Sequence, residues 1–387
     1  MKPIARNGAQ LCFAGSALLN VLSQAFFARA GGADRDAWLS GTLLLGTAAS
    51  LAGVPAAQRF GLPGRPLLSG LVLVIGIGAL FGLTFTLESA ALFAAVTVVL
   101  RFFMQYGTQE LDRRAVLLAG EASRRTNDIV GLAMRFGGML VGPLWFSLVK
   151  SSVASLFAIA LMTALAVWTV ALTASAPQPV MTNAAPSQLS ADERVVLWAA
   201  RVIYASYYLL ASSIISVLTD LHHLPDAVKR GGLVVTVVYA SAIVTTVIEL
   251  ARRRTTRRPV LDMLPAPVAM IFVGFALPSG ATAMTGVELA GGVLLGVAFA
   301  RYQLPFRDRA TAEAMQHRPA LLAAYNNLGT TSALLGYAVM SGLVAWSRHA
   351  GASYAAWAGS GVVLLGLAGA ALVLMARARR QPATQAT

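Results

Sequence analysis

Charge is scarce in this 387-residue chain: Asp, Glu, Lys and Arg make up 12% of it, against 57% apolar residues. A water-soluble domain of this size cannot keep so much apolar surface from solvent, so a soluble globular fold is excluded. Cysteine occurs once, at Cys12, which excludes a disulfide framework and a thiolate metal site. The four histidines, His222, His223, His317 and His349, fall between apolar runs, so a histidine proton relay within a bilayer is excluded. His222 and His223 lack a third nearby ligand and make a poor metal site. No G-x-x-x-x-G-K-[ST] loop is present, which removes a nucleotide-driven pump. Nor is there a His/Glu cluster, a nucleophile with an adjacent base or an appended soluble domain, so neither an enzyme nor a receptor is expected, and no cofactor. Acids are few, 16 Asp and Glu against 30 Lys and Arg. Glu88, Glu249 and Glu288 stand at the ends of apolar runs, and no buried carboxylate of the kind that receives lipophilic cations is expected.

What fills the chain is apolar sequence, with a mean hydropathy of +0.68. The runs cover 8–28, 38–58, 66–87, 89–107, 127–148, 152–174, 195–218, 232–251, 260–279, 286–304, 320–346 and 354–376. About 20 residues wound as an α-helix match the hydrocarbon thickness of a bilayer. The predicted fold is therefore an all-α polytopic membrane protein with 12 transmembrane helices. The short segment before the first run reads as leading into a retained helix rather than a cleaved signal. With both termini cytoplasmic, the inner segments hold 20 Lys and Arg, including the RRRTTRRP run at Arg252 to Arg258, and the outer loops hold six. That asymmetry is the positive-inside pattern. The basic balance thus sets topology in a cell (inner) membrane and contacts anionic lipid, and nucleic acid is not expected as a partner.

One long polar segment, Ala176 to Arg194 (APQPVMTNAAPSQLSADER), has no apolar period and reads as a cytoplasmic tether. It divides the chain into an N-terminal six-helix bundle, 1–175, and a C-terminal one, 195–387. The halves echo each other: Asn127, Asp128 and Gly137 lie 199 residues before Asn326, Asn327 and Gly336, and Arg101 lies 200 before Arg301. Two repeated bundles around a central cavity near the midplane form a transporter architecture.

Three short elements carry a resemblance. The loop after the second run reads QRFGLPGR, with Arg59, Gly61 and Arg65 in place and Gln58 where an acid is usual. The fourth run carries Arg101, Gln105 and Gly107. The fifth carries Gly138, Gly142 and Pro143 as G-x-x-x-G-P, followed by Trp145 and Phe146 in place of small residues. Together these resemble the major facilitator superfamily over the whole chain, with an exporter-like fifth span. The resemblance implies a secondary transporter, expected as a monomer, whose spans one, four, seven and ten line the central path.

Polar stripes fall on three of those spans. Ser16, Asn20 and Gln24 recur every four residues on the first, Arg101, Gln105 and Gln109 on the fourth, and Arg201, Tyr204 and Tyr208 share a face of the seventh. Arg301 and Tyr302 stand at the inner end of the tenth. Arg101 and Arg135 lie within the hydrocarbon region, where a charge costs at least about 2.5–3.5 kcal/mol and must meet a partner or a watery cavity. Opposite running of the fourth and fifth spans is expected to bring both to similar depth. Two roles stay open for each: lining the cavity, or donating to backbone carbonyls, with Asp128 as a partner for Arg135. For Arg201 and Arg301 the second role is snorkelling to the interface. Gly137, Gly138 and Gly142, and Gly291, Gly292 and Gly296, read as small faces for close helix approach.

An arginine fork suits carboxylate, catecholate or phosphate. The substrate-binding candidates are Asn20, Gln24, Arg101, Gln105, Arg135, Arg201, Tyr204, Tyr208, Arg301, Asn326 and Asn327, for a small anionic solute. The coupling proton is assigned to Asp128, Glu110 or Asp112. Asp128 is expected at the positive N-terminus of the fifth span, from where its protonation would release Arg135. Export of an acid-bearing metabolite such as a siderophore is the leading expectation. Uptake of an organic anion or ferric siderophore, or multidrug efflux by antiport, are the alternatives.

Overall fold

The structure of the chain is a computed structural model. It describes five helices, α1 (Arg35–Phe60), α2 (Ala90–Leu148), α3 (Ala227–Arg252), α4 (Ala281–Met315) and α5 (Ala320–His349). It also describes Leu19, Asn20, Ser23, Phe26, Phe27, Asp34, Ser89 and Val268, and individual residues between Arg194 and Leu209 and between Gly369 and Ala376. No strand occurs among the described residues. The spans expected at 66–87 and 152–174, that at 260–279 apart from Val268, most of that at 354–376, and the tether apart from Arg194 lie outside them.

Four expected spans coincide closely with α1, α3, α5 and the start of α4. Two boundaries differ. The loop expected between spans four and five is helical, so both spans lie in the single 59-residue run of α2. Its sequence, TQELDRRAVLLAGEASRRT, is polar but rich in Glu, Leu, Arg and Ala and free of proline, and such residues favour helix whatever their polarity. Likewise α4 continues past the expected end at 304 to Met315, through RDRATAEAM. Hydropathy marks where a bilayer ends, whereas a helix continues as far as its propensity and packing allow.

The chain divides into two compact units, Met1–Asn183 and Ala184–Thr387. In the first, α1 packs along α2. Phe26 stacks on Phe93 with ring centroids 4.0 Å apart, Phe27 meets Phe93 edge-on at 5.4 Å, and Trp38 lies over Phe27 at 6.4 Å. This aromatic group, with Leu19, Leu100 and Met104, forms a core that ties the first expected span to α2. In the second unit α4 packs against both α3 and α5.

Polarity is inverted on these helices. On α3 Val244, Val247 and Ile248 are 57%, 52% and 41% exposed, while their neighbours Thr245, Thr246 and Glu249 are buried. A helix in water turns the other way, so the outer face of α3 suits hydrocarbon. Residues Ala37–Ala56 of α1 and Gly232–Glu249 of α3 are long and apolar enough to cross a membrane. Several buried hydroxyls are satisfied within their own helices: Thr47 donates to Leu43 O at 2.7 Å, Thr246 to Ala242 O at 2.8 Å and Ser332 to Leu328 O at 2.7 Å. Hydrogen bonds of this kind let polar residues sit where no water can reach.

Close helix approach depends on a few glycines. A Cβ on Gly296 of α4 would strike Ser241 Oγ and Val238 O of α3, and one on Gly292 would lie 3.3 Å from Val234 O. A Cβ on Gly336 of α5 would lie 2.6 Å from Ala205 O. At Gly137 no described atom lies within 4 Å of the Cβ position. Gly296→Leu is therefore expected to destabilise the protein by about 1–3 kcal/mol, the usual range for overpacking. Gly41→Leu on α1, where no described atom lies within 4 Å of the Cβ position, is expected to leave stability unchanged. Thermal unfolding of the detergent-solubilised protein checks both.

Candidate functional site

In the N-terminal unit Arg101 is a buried cation on α2. Its Nη2 donates to Asn20 Oδ1 of the first expected span. The arginine stem crosses α1 at Gly46, where a Cβ would collide with Arg101 Cδ and lie 3.0 Å from Nε. Ser50, one turn on, shares its hydroxyl between Gly46 O at 3.0 Å and the Arg101 carbonyl at 3.2 Å. Gly53 completes this face: a Cβ there would lie 2.7 Å from Phe102 O and 3.2 Å from Tyr106 N. Gly46, Ser50 and Gly53 thus bring the α2 backbone against α1 and open a slot in which the arginine side chain can lie. Without that slot the guanidinium would have to leave the seam.

Other polar atoms collect along the same two helices. Thr97, one turn before Arg101, and Thr42, one turn before Gly46, each bury a hydroxyl that has no hydrogen-bond partner among the described residues, as does Tyr106. Buried hydroxyls of this kind cost energy unless a ligand or water meets them. The sequence reading passed over Gly46, Thr42 and Thr97 because each is small and ordinary inside an apolar run. Gln105 is half-buried one turn beyond Arg101. Gln24 and Ser16, and the side chains of Gln109 and Glu110, lie outside the described residues.

Further along α2, Asp112, Asn127 and Asp128 are buried and Arg135 is half-buried. The expected place of Asp128 is corrected here. It lies well inside a continuous helical run rather than at a helix start. Only the first turn of a helix leaves unsatisfied N–H groups, so no helix-terminal charge acts on Asp128. Asp112, expected in a loop, is likewise a buried helical residue.

The C-terminal unit contains a second polar group. Tyr204 stacks on Phe299 at 4.4 Å, and Tyr208 meets Tyr337 at 5.7 Å. Tyr325 donates from its hydroxyl to Gln303 Oε1 at 3.0 Å, and the guanidinium of Arg307 lies 5.7 Å from the Tyr325 ring centroid. Arg307 was placed in an inner loop by hydropathy, but it is fully buried because α4 continues past it. Arg201 lies over the ring of exposed Trp198 at 4.9 Å, as suits a side chain near an interface. Asn326 and Asn327 are half-buried on α5, and Asn327 Oδ1 is enclosed without a hydrogen-bond partner among the described residues.

Arg301 does not stand alone. Its Nε lies 3.8 Å from Oε1 of Glu249. Glu249 was expected near the end of a span, away from the buried interior, but it is buried. Helix α3 runs on to Arg252 and α4 runs alongside it, so the carboxylate is covered where hydropathy alone placed the bilayer edge. The expected lack of buried acids is thus corrected at Glu249, Asp112 and Asp128. Among the described residues no group of three or more His, Cys, Asp or Glu side chains could hold a metal ion.

The solved structures similar to the chain over nearly its whole length include three transporters. A bacterial homologue of the iron transporter ferroportin, in an outward-facing state, superposes with a TM-score of 0.67 at 14% identity, covering 98% of this chain and 100% of that one. The nucleoside transporter NupG gives 0.65 at 13% identity, covering 97% and 98%. The human organic anion transporter MFSD10 (TETRAN) gives 0.58 at 17% identity, covering 94% and 98%. No protein-family model and no curated protein matches the sequence. At identities this low such likeness shows the fold alone: the chain folds like these solved transporters, as the resemblance to the major facilitator superfamily implies.

Proposed function

We propose that this chain is a secondary active transporter of a small acid-bearing solute. The observation that carries the reading is Arg101, buried in the α1–α2 seam and oriented by Asn20 across the Gly46 slot. A buried guanidinium costs several kcal/mol in hydrocarbon unless it faces a partner or a cavity, and its planar fork matches a carboxylate or catecholate. Thr42, Thr97 and Tyr106 add neutral hydrogen-bonding groups to the same seam. The similar structures are named for nucleoside, iron and organic anion transport. One fold serves chemically different solutes, so the choice among them rests on the residues of this chain, and these favour the anion. Efflux of lipophilic cations is less well supported, since the buried carboxylate of Glu249 is already paired with Arg301 and those of Asp112 and Asp128 are not free either.

With no nucleotide-binding loop in the sequence, the energy source is an ion gradient, taken here as protons. Asp128, Asp112 and Glu110 on α2 are candidates to carry the proton. Export of a siderophore-like carboxylate or catecholate is the reading favoured by the Gly138, Gly142 and Pro143 element. The second reading is uptake of an organic anion or ferric siderophore, which would use the same basic residues in the opposite direction. The proposed setting is the inner membrane, with a monomer of two six-helix bundles, 1–175 and 195–387, both termini and the 176–194 tether being cytoplasmic.

Counterflow in proteoliposomes with citrate and 2,3-dihydroxybenzoate as probes tests the site. Arg101→Ala is expected to lower exchange by about a hundredfold or more, and Arg101→Lys to restore part of it, because the charge remains but the fork is lost. Both variants stay folded by size-exclusion chromatography. Loss of folding in both would make Arg101 structural, and wild-type exchange by the Ala variant would remove it from the mechanism. Energy coupling is checked by a protonophore, which should collapse concentrative transport while leaving exchange intact. For topology, a cysteine introduced at Ser187 should react with an impermeant maleimide only in inverted vesicles, and labelling in intact cells would overturn the proposed orientation.

A further inference from the structure

We propose that Thr42 and Thr97 select for a hydroxyl group beside the acid of the solute, so that the anion bound at Arg101 is a singly charged hydroxy acid. The proposal rests on the reading of Arg101 as the seat of a solute anion. It adds the solute class and the two residues that choose it.

The arginine stem sets the level of the site. The Arg101 carbonyl meets Ser50 of α1 at 3.2 Å, whereas its Cδ lies against the Cβ position of Gly46, one turn back along α1. Gly53, further along α1, meets Phe102 and Tyr106, so contacts advance together and the two helices run in the same direction. The side chain thus leans toward the start of both helices, as long helical side chains do. Thr42 stands one turn before Gly46 and Thr97 one turn before Arg101, on the side to which the stem leads. The C-terminal unit gives an independent register. Ser241 and Gly296 lie 199 residues after Thr42 and Thr97, and a Cβ on Gly296 would strike Ser241 Oγ. By the internal repeat, Thr42 and Thr97 hold facing positions on α1 and α2.

Both threonines are enclosed: Thr97 is fully buried and Thr42 is 2% exposed. Neither hydroxyl has a hydrogen-bond partner among the described residues, so they do not bond each other. Neighbouring hydroxyls on α1 are met differently, Thr47 by Leu43 O at 2.7 Å and Ser50 by Gly46 O at 3.0 Å. Ser241, at the position corresponding to Thr42, donates to Val237 O at 2.8 Å and Val238 O at 3.0 Å. Gly296, corresponding to Thr97, carries no side chain to satisfy. A buried hydroxyl left unmet is unfavourable, and a valine of the same shape would avoid that cost. The pair beside Arg101 therefore calls for a ligand.

The chemistry of the three groups defines that ligand. Arg101 supplies one positive charge, which balances one carboxylate. As a charged acceptor, the carboxylate holds the guanidinium more strongly than the neutral amide of Asn20 does. Each threonine hydroxyl is both a donor and an acceptor. A solute hydroxyl adjacent to the carboxylate can donate to one threonine and accept from the other, which satisfies both. A plain carboxylate leaves them unmet, and a doubly charged phosphate brings a second charge that Arg101 does not balance. An α-hydroxy carboxylate or an ortho-hydroxybenzoate has the required pair of groups. A site built to bond a hydroxyl rejects the analogue without it, because its own buried groups are then left unpaired.

Calorimetry on the full-length protein in detergent compares 2,3-dihydroxybenzoate with benzoate. The wild type is expected to bind the hydroxylated acid at least about tenfold more tightly. Thr42→Val and Thr97→Val combined should bring the two affinities within about twofold, by weakening 2,3-dihydroxybenzoate. Thr97→Ser, which keeps the hydroxyl, retains the preference. Thr47→Val removes a hydroxyl already met by Leu43 O and leaves the preference unchanged. Without solute, the thermal midpoints of Thr42→Val and Thr97→Val should equal or exceed that of the wild type, since no hydrogen bond is lost. Equal affinity of the wild type for both acids, a preference that survives in the double variant, or a lowered midpoint in either solute-free valine variant would each overturn the proposal, with the anion site at Arg101 left in place. Should the double variant fail to fold, each valine variant alone must still reduce the preference by at least about threefold, and an unchanged preference overturns the proposal. If Arg101→Ala binds benzoate as the wild type does, or the wild type binds neither acid, the anion reading itself falls, and this selection with it.

Discussion

Hydrocarbon supplies no hydrogen-bond partner, so every polar group that a membrane helix carries inward must be met by the protein itself or by what the protein binds. Most of this structure follows from that constraint. Serine and threonine hydroxyls return their protons to carbonyls one turn back, as at Thr47, Thr246 and Ser332. Apolar side chains such as Val244, Val247 and Ile248 turn outward instead. Groups that cannot be satisfied within their own helix, the arginines above all, must find a partner on another one. Arg101 reaches Asn20 and Arg301 reaches Glu249.

The two units meet this demand by different means. In the N-terminal unit the room for Arg101 is made by missing atoms: Gly46 leaves a channel for the stem, and Ser50 and Gly53 let the backbones of α1 and α2 come close enough for the guanidinium to reach Asn20. In the C-terminal unit the glycines, Gly292 and Gly296, lie on α4 and bring it against α3. The arginine there is met by a charge. A neutral amide orients a cation, whereas a carboxylate competes with any anion that approaches. Arginines 200 positions apart are thus suited to different tasks.

The similar structures help with architecture and little with substrate. Proteins named for nucleosides, iron and organic anions share this fold with the chain at 13% to 17% identity. A bundle of membrane helices sets where a solute can bind, and a few inward side chains set which one. The buried polar side chains described in this chain include the basic, amide and hydroxyl groups of Arg101, Asn127 and Thr97, and the buried acid Glu249 is paired with Arg301.

Much of the fold was legible in the sequence because hydrocarbon imposes a length and a polarity on each segment. The helices α1, α3 and α5 start and stop close to where apolar runs do, and Asn20, Arg101 and Tyr204 were found as polar breaks in those runs. Helix ends were less legible. Hydropathy cannot tell a polar loop from a polar helix, so α2 runs through 108–126, and α4 through Arg307, where loops were expected. That difference decides how Asp112, Asp128, Glu249 and Arg307 are read, since a residue at a bilayer edge becomes a buried one when a neighbouring helix covers it. The slot at Gly46 was hidden for a related reason: a missing Cβ matters only when another helix lies against it. Sequence alone determined which segments suit the membrane and which charges they carry. Only the tertiary structure decided which charges meet, because an ion pair between residues 52 positions apart depends on two helices packing side by side.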